Sequence, residues 1–168
     1  MISVYPNLYV GTDDDFEKVV RDMKGWAVVH ADREPYHRRL LGYDTEHPPM
    51  NHPEFFAALR NDRLFLNLND PEDTENLPKI ILDTALNFIH LSLLGGKRVL
   101  VNSSNGINAA PVLALLYIAS YSDRFSGLIL ADAESVYRKI YTAYKPNLTT
   151  RRFLRRYWQE YQEYTQKK

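Results

Sequence analysis

The sequence contains no cysteine, and this absence removes three kinds of chemistry at once. Disulfide bridges, thiolate metal sites and thiol nucleophiles all require a cysteine sulfur. The chain also has no run of 18 apolar residues and no charged-then-apolar leader at its N-terminus. We therefore expect no membrane span, no secretion signal and a cytoplasmic location.

An excess of one charge sign is also missing, because 21 Lys and Arg residues balance 21 Asp and Glu residues. A protein dedicated to binding nucleic acid is usually basic, so we expect no nucleic-acid partner. The chain has 168 residues, of which 45% are hydrophobic. This size and composition predict one globular domain spanning residues 1–168.

The balanced charges are unevenly distributed along the chain. Residues 138–168 carry nine basic against two acidic residues, a net charge of +7, and the remaining residues carry −7. Apolar and aromatic residues recur at helical spacing in the same basic stretch, which favours a packed helix with a solvated basic face over a nucleic-acid arm. These residues are Phe153, Leu154, Tyr157, Trp158, Tyr161 and Tyr164.

Hydrophobic patterning predicts strands and helices that alternate along the chain, which is typical of an α/β protein with a central sheet. The predicted strands are Ile2–Val4, Leu8–Val10, Trp26–His30, Arg63–Leu68 and Lys97–Asn102. The predicted helices are Asp13–Met23, Pro53–Arg60, Leu77–Leu94, Ala110–Tyr121, one within Ser126–Tyr141 and the C-terminal helix.

A small polar loop joins the apolar strand before residue 102 directly to an apolar helix. Such a turn aims backbone N–H groups and the positive end of a helix dipole at one point, which suits an anion. Many turns of this kind bind nothing, so the pattern alone is a weak signal. The candidate anion-binding loop consists of Asn102, Ser103, Ser104, Asn105, Gly106, Ile107, Asn108 and Ala109.

This stretch resembles the cysteine-dependent dual-specificity and tyrosine phosphatase family, in which a strand is followed by His-Cys, five residues, Arg and a helix. Gly106 and Pro111 stand in the family's register. The resemblance extends over nearly the whole chain and implies a single α/β domain whose central, mostly parallel sheet is flanked by helices. The other similar segments are 5–11, 66–70 with the helix after it, 144–147 and 153–158, and His30 with 34–38 resembles a bacterial branch of the family.

The catalytic positions depart from the family's pattern. Asn102 stands at the family's His, Ser103 at its nucleophilic Cys and Ala109 at its Arg. A serine hydroxyl is a far weaker acid than an activated thiol, whose pKa can fall to ~3.5–7.5. An arginine in the comparable role in nucleotide hydrolases is worth roughly 10³–10⁵ in rate. The resemblance therefore implies a phosphatase-like protein without cysteine-type phosphatase activity.

The resemblance also places Asp70 at the family's general-acid position, with Asp73 as the alternative. The same acidic stretch equally fits a solvated loop before the next helix. Arg33, His37 and Arg38 could form a cationic rim over the anion-binding loop, although a solvated charged loop fits them as well. No pair of histidines has close helical ligand spacing, so we expect no metal site and no cofactor.

We interpret the chain first as a pseudophosphatase that binds a phosphorylated protein, or a small anion such as phosphate or sulfate, at residues 102–109. One alternative is an interaction or scaffold protein in which the pocket is unused. Another is an active-site variant of a genuine phosphatase. A third is different chemistry in a polar pocket formed by Ser103, Ser104, Asn105 and Asn108.

Overall fold

Six strands form a single mixed sheet in the computed structural model, which describes residues 1–68 and 77–166. The strands are β1 (Ile2–Tyr5), β2 (Leu8–Thr12), β3 (Trp26–Asp32), β4 (Ala57–Arg60), β5 (Arg63–Leu68) and β6 (Arg98–Ser103). The helices are α1 (Asp13–Asp15), α2 (Arg38–Leu41), α3 (Lys79–Leu94), α4 (Ala109–Tyr121), α5 (Leu130–Ile140) and α6 (Leu148–Gln166). Shorter helical turns cover Phe16–Val20, Arg33–His37 and Asp123–Phe125.

The strand order is β1-β2-β6-β3-β5-β4. The four inner strands pair in parallel, and the two edge strands β1 and β4 pair antiparallel to their neighbours. The predicted α/β class, with a central and mostly parallel sheet flanked by helices, is therefore confirmed. Because β6 lies in the middle of this sheet, both of its edges are hydrogen-bonded to parallel strands.

The apolar run of β6 divides between the two faces of the sheet, as alternation along a strand requires. Val99 and Val101 join the main core, to which α3, α4 and α6 contribute, whereas Leu100 joins a smaller cluster with Phe16 and Trp26. Helix α4 is the centre of the main core, since all of its residues from Ala110 to Ser120 are buried. The helix that follows the loop is thus held rigidly.

The predicted helix at Pro53–Arg60 is wrong, because residues Ala57–Arg60 form the edge strand β4. This strand pairs antiparallel with β5 through a two-residue turn at Asn61 and Asp62, where Asn61 has a φ of 51°. Asn and Asp are the residues that favour such a hairpin turn. Pairing with β5 therefore outweighs the weak local preference for a helix.

The predicted helix at Asp13–Met23 begins where expected but is shorter. Thr12 caps α1, accepting a hydrogen bond from the backbone of Asp15 while the Asp15 side chain accepts one in return. The chain continues as a wider helical turn over Phe16–Val20 and has left the helix before Met23. Only Phe16 and Val20 of this turn are buried, so a single turn is enough to bury the apolar side chains of the segment.

No helix within residues 1–68 and 77–166 is both long enough and apolar enough to cross a membrane. The same residues contain no group of three or more His, Cys, Asp or Glu side chains arranged to hold a metal ion.

The predicted C-terminal helix packs on the core through Trp158, whose ring nitrogen donates to the Leu128 carbonyl at 2.9 Å. We expect Trp158→Ala to lower the free energy of unfolding by about 3–5 kcal/mol, because it deletes a buried indole. Arg155→Ala changes an exposed residue of the same helix and should alter stability by less than about 0.5 kcal/mol. Denaturant unfolding followed by circular dichroism measures both, and equal losses would contradict the packing described here.

Candidate functional site

The carboxyl ends of the four parallel strands meet at one edge of the sheet, where open α/β folds place their ligands. Asp13 follows β2 directly, and Asp32 ends β3. Between these two, residues 104–108 link the end of β6 to α4. The predicted anion-binding loop therefore lies between two strands that each end at a carboxylate.

Three backbone N–H groups of the loop donate to oxygens of the chain's own side chains. Gly106 donates to the Ser103 hydroxyl at 3.2 Å, and Ile107 donates to the Asn105 side chain at 3.0 Å. Ser104 donates to a carboxylate oxygen of Asp32 at 2.7 Å. These three donors of the loop are thus engaged by internal acceptors.

The segment after α5 supports the loop from behind. The Tyr141 hydroxyl donates to the Gly106 carbonyl at 2.8 Å, and the Lys145 backbone N–H donates to the Ile107 carbonyl at 2.8 Å. The Asn147 backbone N–H donates to the Asn108 side chain at 3.0 Å. These contacts join the loop to the start of α6.

Ser103 and Asn102, which the sequence resemblance aligns with the family's Cys and His, are both buried. The Ser103 hydroxyl accepts the Gly106 hydrogen bond described above. The Asn102 side-chain amide donates to Asp13 at 2.5 Å. Burial raises the pKa of the Asp13 carboxyl above its ordinary value, although this hydrogen bond opposes the shift. Asn102 therefore acts as a neutral donor to a carboxylate.

Ala109, at the position of the family's Arg, begins α4 and lines a small cavity of about 20 Å³. The cavity has room for roughly one water molecule. Polar residues on the far side, among them Asn147 and Thr150, belong to the loop-supporting segment and to α6. At the position that the sequence resemblance assigns to the family's Arg, this chain therefore presents a methyl group.

His30 lies beside the loop strand, opposite Asn102 in the register of β3 and β6. Its ring stacks on Tyr36 with 4.0 Å between centroids and on Phe65 with 4.9 Å. Burial, together with the nearby charge of Arg63, lowers the pKa of His30 to about 3. His30 is therefore a neutral part of the core.

The three residues of the predicted cationic rim make their side-chain contacts with other residues of the segment 33–54. A guanidinium nitrogen of Arg33 lies 2.6 Å from the His47 ring, and Arg38 pairs with Glu34 at 2.5 Å. His37 is fully buried, and its ring contacts the Tyr43 hydroxyl and the Glu54 carbonyl, each at 3.1 Å. These contacts favour a structural role for all three residues.

The two predicted general-acid candidates, Asp70 and Asp73, lie outside the described residues. Their role stays a prediction.

Sequence reasoning missed three residues that contact the loop or its strand, namely Asp13, Asp32 and Tyr141. The two carboxylates immediately follow or end strands, but only the strand order reveals that β2 and β3 both neighbour β6. Tyr141 stands outside the predicted motifs, and its contact with Gly106 joins residues 35 positions apart. The available signal for Asp32 is its position two residues after the predicted strand Trp26–His30.

Comparison with known proteins gives a match through structure alone. No protein-family model and no curated protein matches the chain. The solved structure of DUSP15 superposes with a TM-score of 0.65 at 21% identity, covering 99% of this chain and 93% of its own. The human tyrosine phosphatase-like serine/threonine/tyrosine-interacting protein superposes with a TM-score of 0.66 at 21% identity, covering 96% of this chain and 97% of its own. Human DUSP28 superposes with a TM-score of 0.60 at 19% identity, covering 99% of this chain and 99% of its own.

This chain has the dual-specificity phosphatase fold. The superpositions extend over almost the full length of the chain, as the sequence resemblance predicted. At 21% identity or less they establish the fold alone. The chemistry must therefore be argued from the loop itself.

The space around Gly106 provides a test of the loop's packing. Gly106 has a φ of 68°, and an added Cβ would lie 3.0 Å from the Tyr141 hydroxyl and 3.2 Å from Thr12. Gly127 has a φ of 72° with no atom within 4 Å of an added Cβ. We expect Gly127→Ala to cost about 1–2 kcal/mol for the left-handed backbone. Gly106→Ala should cost a further ~1–3 kcal/mol for overpacking.

Chemical denaturation of the two glycine variants measures this difference directly. Equal destabilisation by both would contradict the close contact of Gly106 with Tyr141 and Thr12.

The low pKa of His30 predicts a pH dependence of stability. Between about pH 6.5 and pH 3 the unfolded chain binds a proton at His30 that the folded chain does not, so acidification destabilises the fold. The expected contribution is roughly 1.4 kcal/mol per pH unit below the unfolded pKa. His30→Phe preserves an aromatic ring for the stack and removes this contribution.

Unfolding free energies of the parent and His30→Phe should run parallel above pH 7.5. They should then diverge as the pH falls to 4, with the parent losing more. Parallel curves over the whole range would show that His30 titrates normally in the folded state.

Proposed function

We propose that this chain is a catalytically inactive protein with the dual-specificity phosphatase fold, which acts by binding a partner. The observation that carries this proposal is the state of Ser103. Its hydroxyl is buried, accepts the Gly106 N–H, and faces a loop whose arginine position is Ala109.

Among the described residues, no hydrogen bond joins the Ser103 hydroxyl to a basic side chain. His30, opposite Asn102 in the strand register, is a weak base because burial lowers its pKa to about 3, and Asn102 donates to Asp13. A serine becomes a nucleophile when an adjacent base takes its proton, and here the hydroxyl accepts a hydrogen bond from the backbone. These contacts support loss of nucleophilic chemistry.

The charges around the loop also disfavour phosphoryl transfer. Asp32 contacts the loop backbone directly, and Asp13 lies against the neighbouring Asn102. Phosphoryl transfer needs positive groups around the developing charge of the phosphoryl oxygens. With Ala109 in the arginine position, the loop contributes neutral dipoles, and its neighbours contribute carboxylates.

A binding role fits the retained scaffold. Among the proteins of similar structure, one is described as a tyrosine phosphatase-like serine/threonine/tyrosine-interacting protein, which names interaction in a protein of this fold. For this chain the proposed partner carries a phosphorylated or otherwise anionic group that reaches residues 102–109. The single domain, the cytoplasmic location and the roles of the named site residues are part of this proposal.

An interaction protein with an unused pocket is the second candidate. The internal acceptors on the N–H groups of Ser104, Gly106 and Ile107 favour it, because each engaged donor weakens the loop's attraction for an external anion. The two candidates agree that the chain does not hydrolyse phosphate esters. They differ in whether an anion binds at the loop.

Hydrolysis of an aryl phosphate tests the proposal. We expect the purified protein to show no vanadate-sensitive hydrolysis, and Ser103→Ala to match it. The double variant Ser103→Cys/Ala109→Arg restores the nucleophile and the phosphate-binding cation, so it should gain vanadate-sensitive turnover. Robust activity of the unaltered protein that disappears in Ser103→Ala would overturn the proposal.

A further inference from the structure

Asp32 makes a contact that a bound anion would make. One of its carboxylate oxygens accepts the Ser104 N–H at 2.7 Å, across 72 positions of sequence. Hydrogen bonds to a charged acceptor at this distance belong to the stronger class. A phosphate oxygen approaching the same N–H would have to displace this carboxylate.

The fold fixes Asp32 in this position. His30 pairs with Asn102 across the parallel strands β3 and β6. Asp32 and Ser104 each lie two residues further along, so both reach the same edge of the sheet. Asp32 is the last residue of β3 and keeps an extended backbone, with φ −88° and ψ 145°. The side chain therefore reaches the loop from a strand end that is anchored in the central sheet.

An acceptor that belongs to the same chain has a large advantage over a free anion. Its local concentration at the Ser104 N–H is set by the fold and does not depend on dilution. Its negative charge also repels a second anion at the neighbouring N–H groups, and no loop arginine offsets that charge. Both effects lower the affinity of the loop for an external anion.

We propose that Asp32 is an internal ligand of the loop, and that its carboxylate keeps residues 103–109 closed to external phosphate-class anions. This inference rests on the proposed function, because it takes the loop as the place where the partner's anionic group would bind and makes displacement of Asp32 the condition for that binding. The Asp32 carboxylate then sets the affinity of the loop for an external anion. Removing its carboxylate opens the site, and removing only its charge opens it in part.

The variants Asp32→Ala and Asp32→Asn separate these two contributions. Alanine removes both the acceptor and the charge, whereas asparagine keeps an oxygen that can still accept the Ser104 N–H. Asp14→Ala is the matched control, because Asp14 is a carboxylate at the same edge that pairs with Lys18 on the surface. The probe is inorganic phosphate, titrated into the folded protein by calorimetry at constant ionic strength.

We expect Asp32→Ala to bind phosphate at least about 10-fold more tightly than the parent, in line with the strength of a hydrogen bond to a charged group. Asp32→Asn should lie between the two, and Asp14→Ala should stay within about 2-fold of the parent. Equal affinities for the parent and Asp32→Ala would overturn the inference. An equal gain in Asp14→Ala would also overturn it, because the effect would then be one of general charge.

The Ser104 amide supplies a measurement that requires no ligand. In ¹⁵N-labelled protein without phosphate, its proton resonance should move upfield in Asp32→Ala and much less in Asp14→Ala, because a short hydrogen bond is lost. An unmoved resonance would overturn the contact itself, provided that circular dichroism shows the variant to be folded.

The same preparations distinguish this inference from the proposed function. Aryl phosphate hydrolysis by the unaltered protein overturns the proposed function, whatever the phosphate titrations give. Absence of hydrolysis, combined with unchanged phosphate affinity in Asp32→Ala, overturns only the role of Asp32.

Discussion

The parallel pairing of β6 with β2 on one side and β3 on the other determines what surrounds the candidate site. Ser103 lies opposite Thr12, and Asn102 lies opposite His30, so the residues that end all three strands converge. Asp13 and Asp32 reach the loop because their strands end there. The contacts of Asp13 and Asp32 with the site are therefore a consequence of sheet register.

Much of this architecture could be predicted from the sequence, because it follows from local patterns. The continuous apolar run of β6 and the apolar helix α4 mark the loop between them, and both were predicted to within one residue at each end. Strand β4 was mistaken for a helix, since its pairing with β5 is a tertiary effect that outweighs local preference. The same limit hid Asp32, whose role requires the order of strands.

The proposed catalytic positions and the loop backbone depend on the surrounding structure in different ways. In the proposed alignment, Ser103 and Ala109 stand at the family's nucleophile and arginine positions. The loop backbone is different, because Gly106 is enclosed by Tyr141 and Thr12 and its carbonyl accepts a hydrogen bond. Structural likeness at this level of identity therefore establishes the fold, while activity depends on the residues at positions 103 and 109.

Hydrogen bonds from Lys145 and Asn147, which directly precede α6, connect the loop to the start of this helix. Four exposed arginines, at positions 151, 152, 155 and 156, lie within the first nine residues of this helix. Any shift of the start of α6 would therefore strain the hydrogen bonds that Lys145 and Asn147 make to the loop.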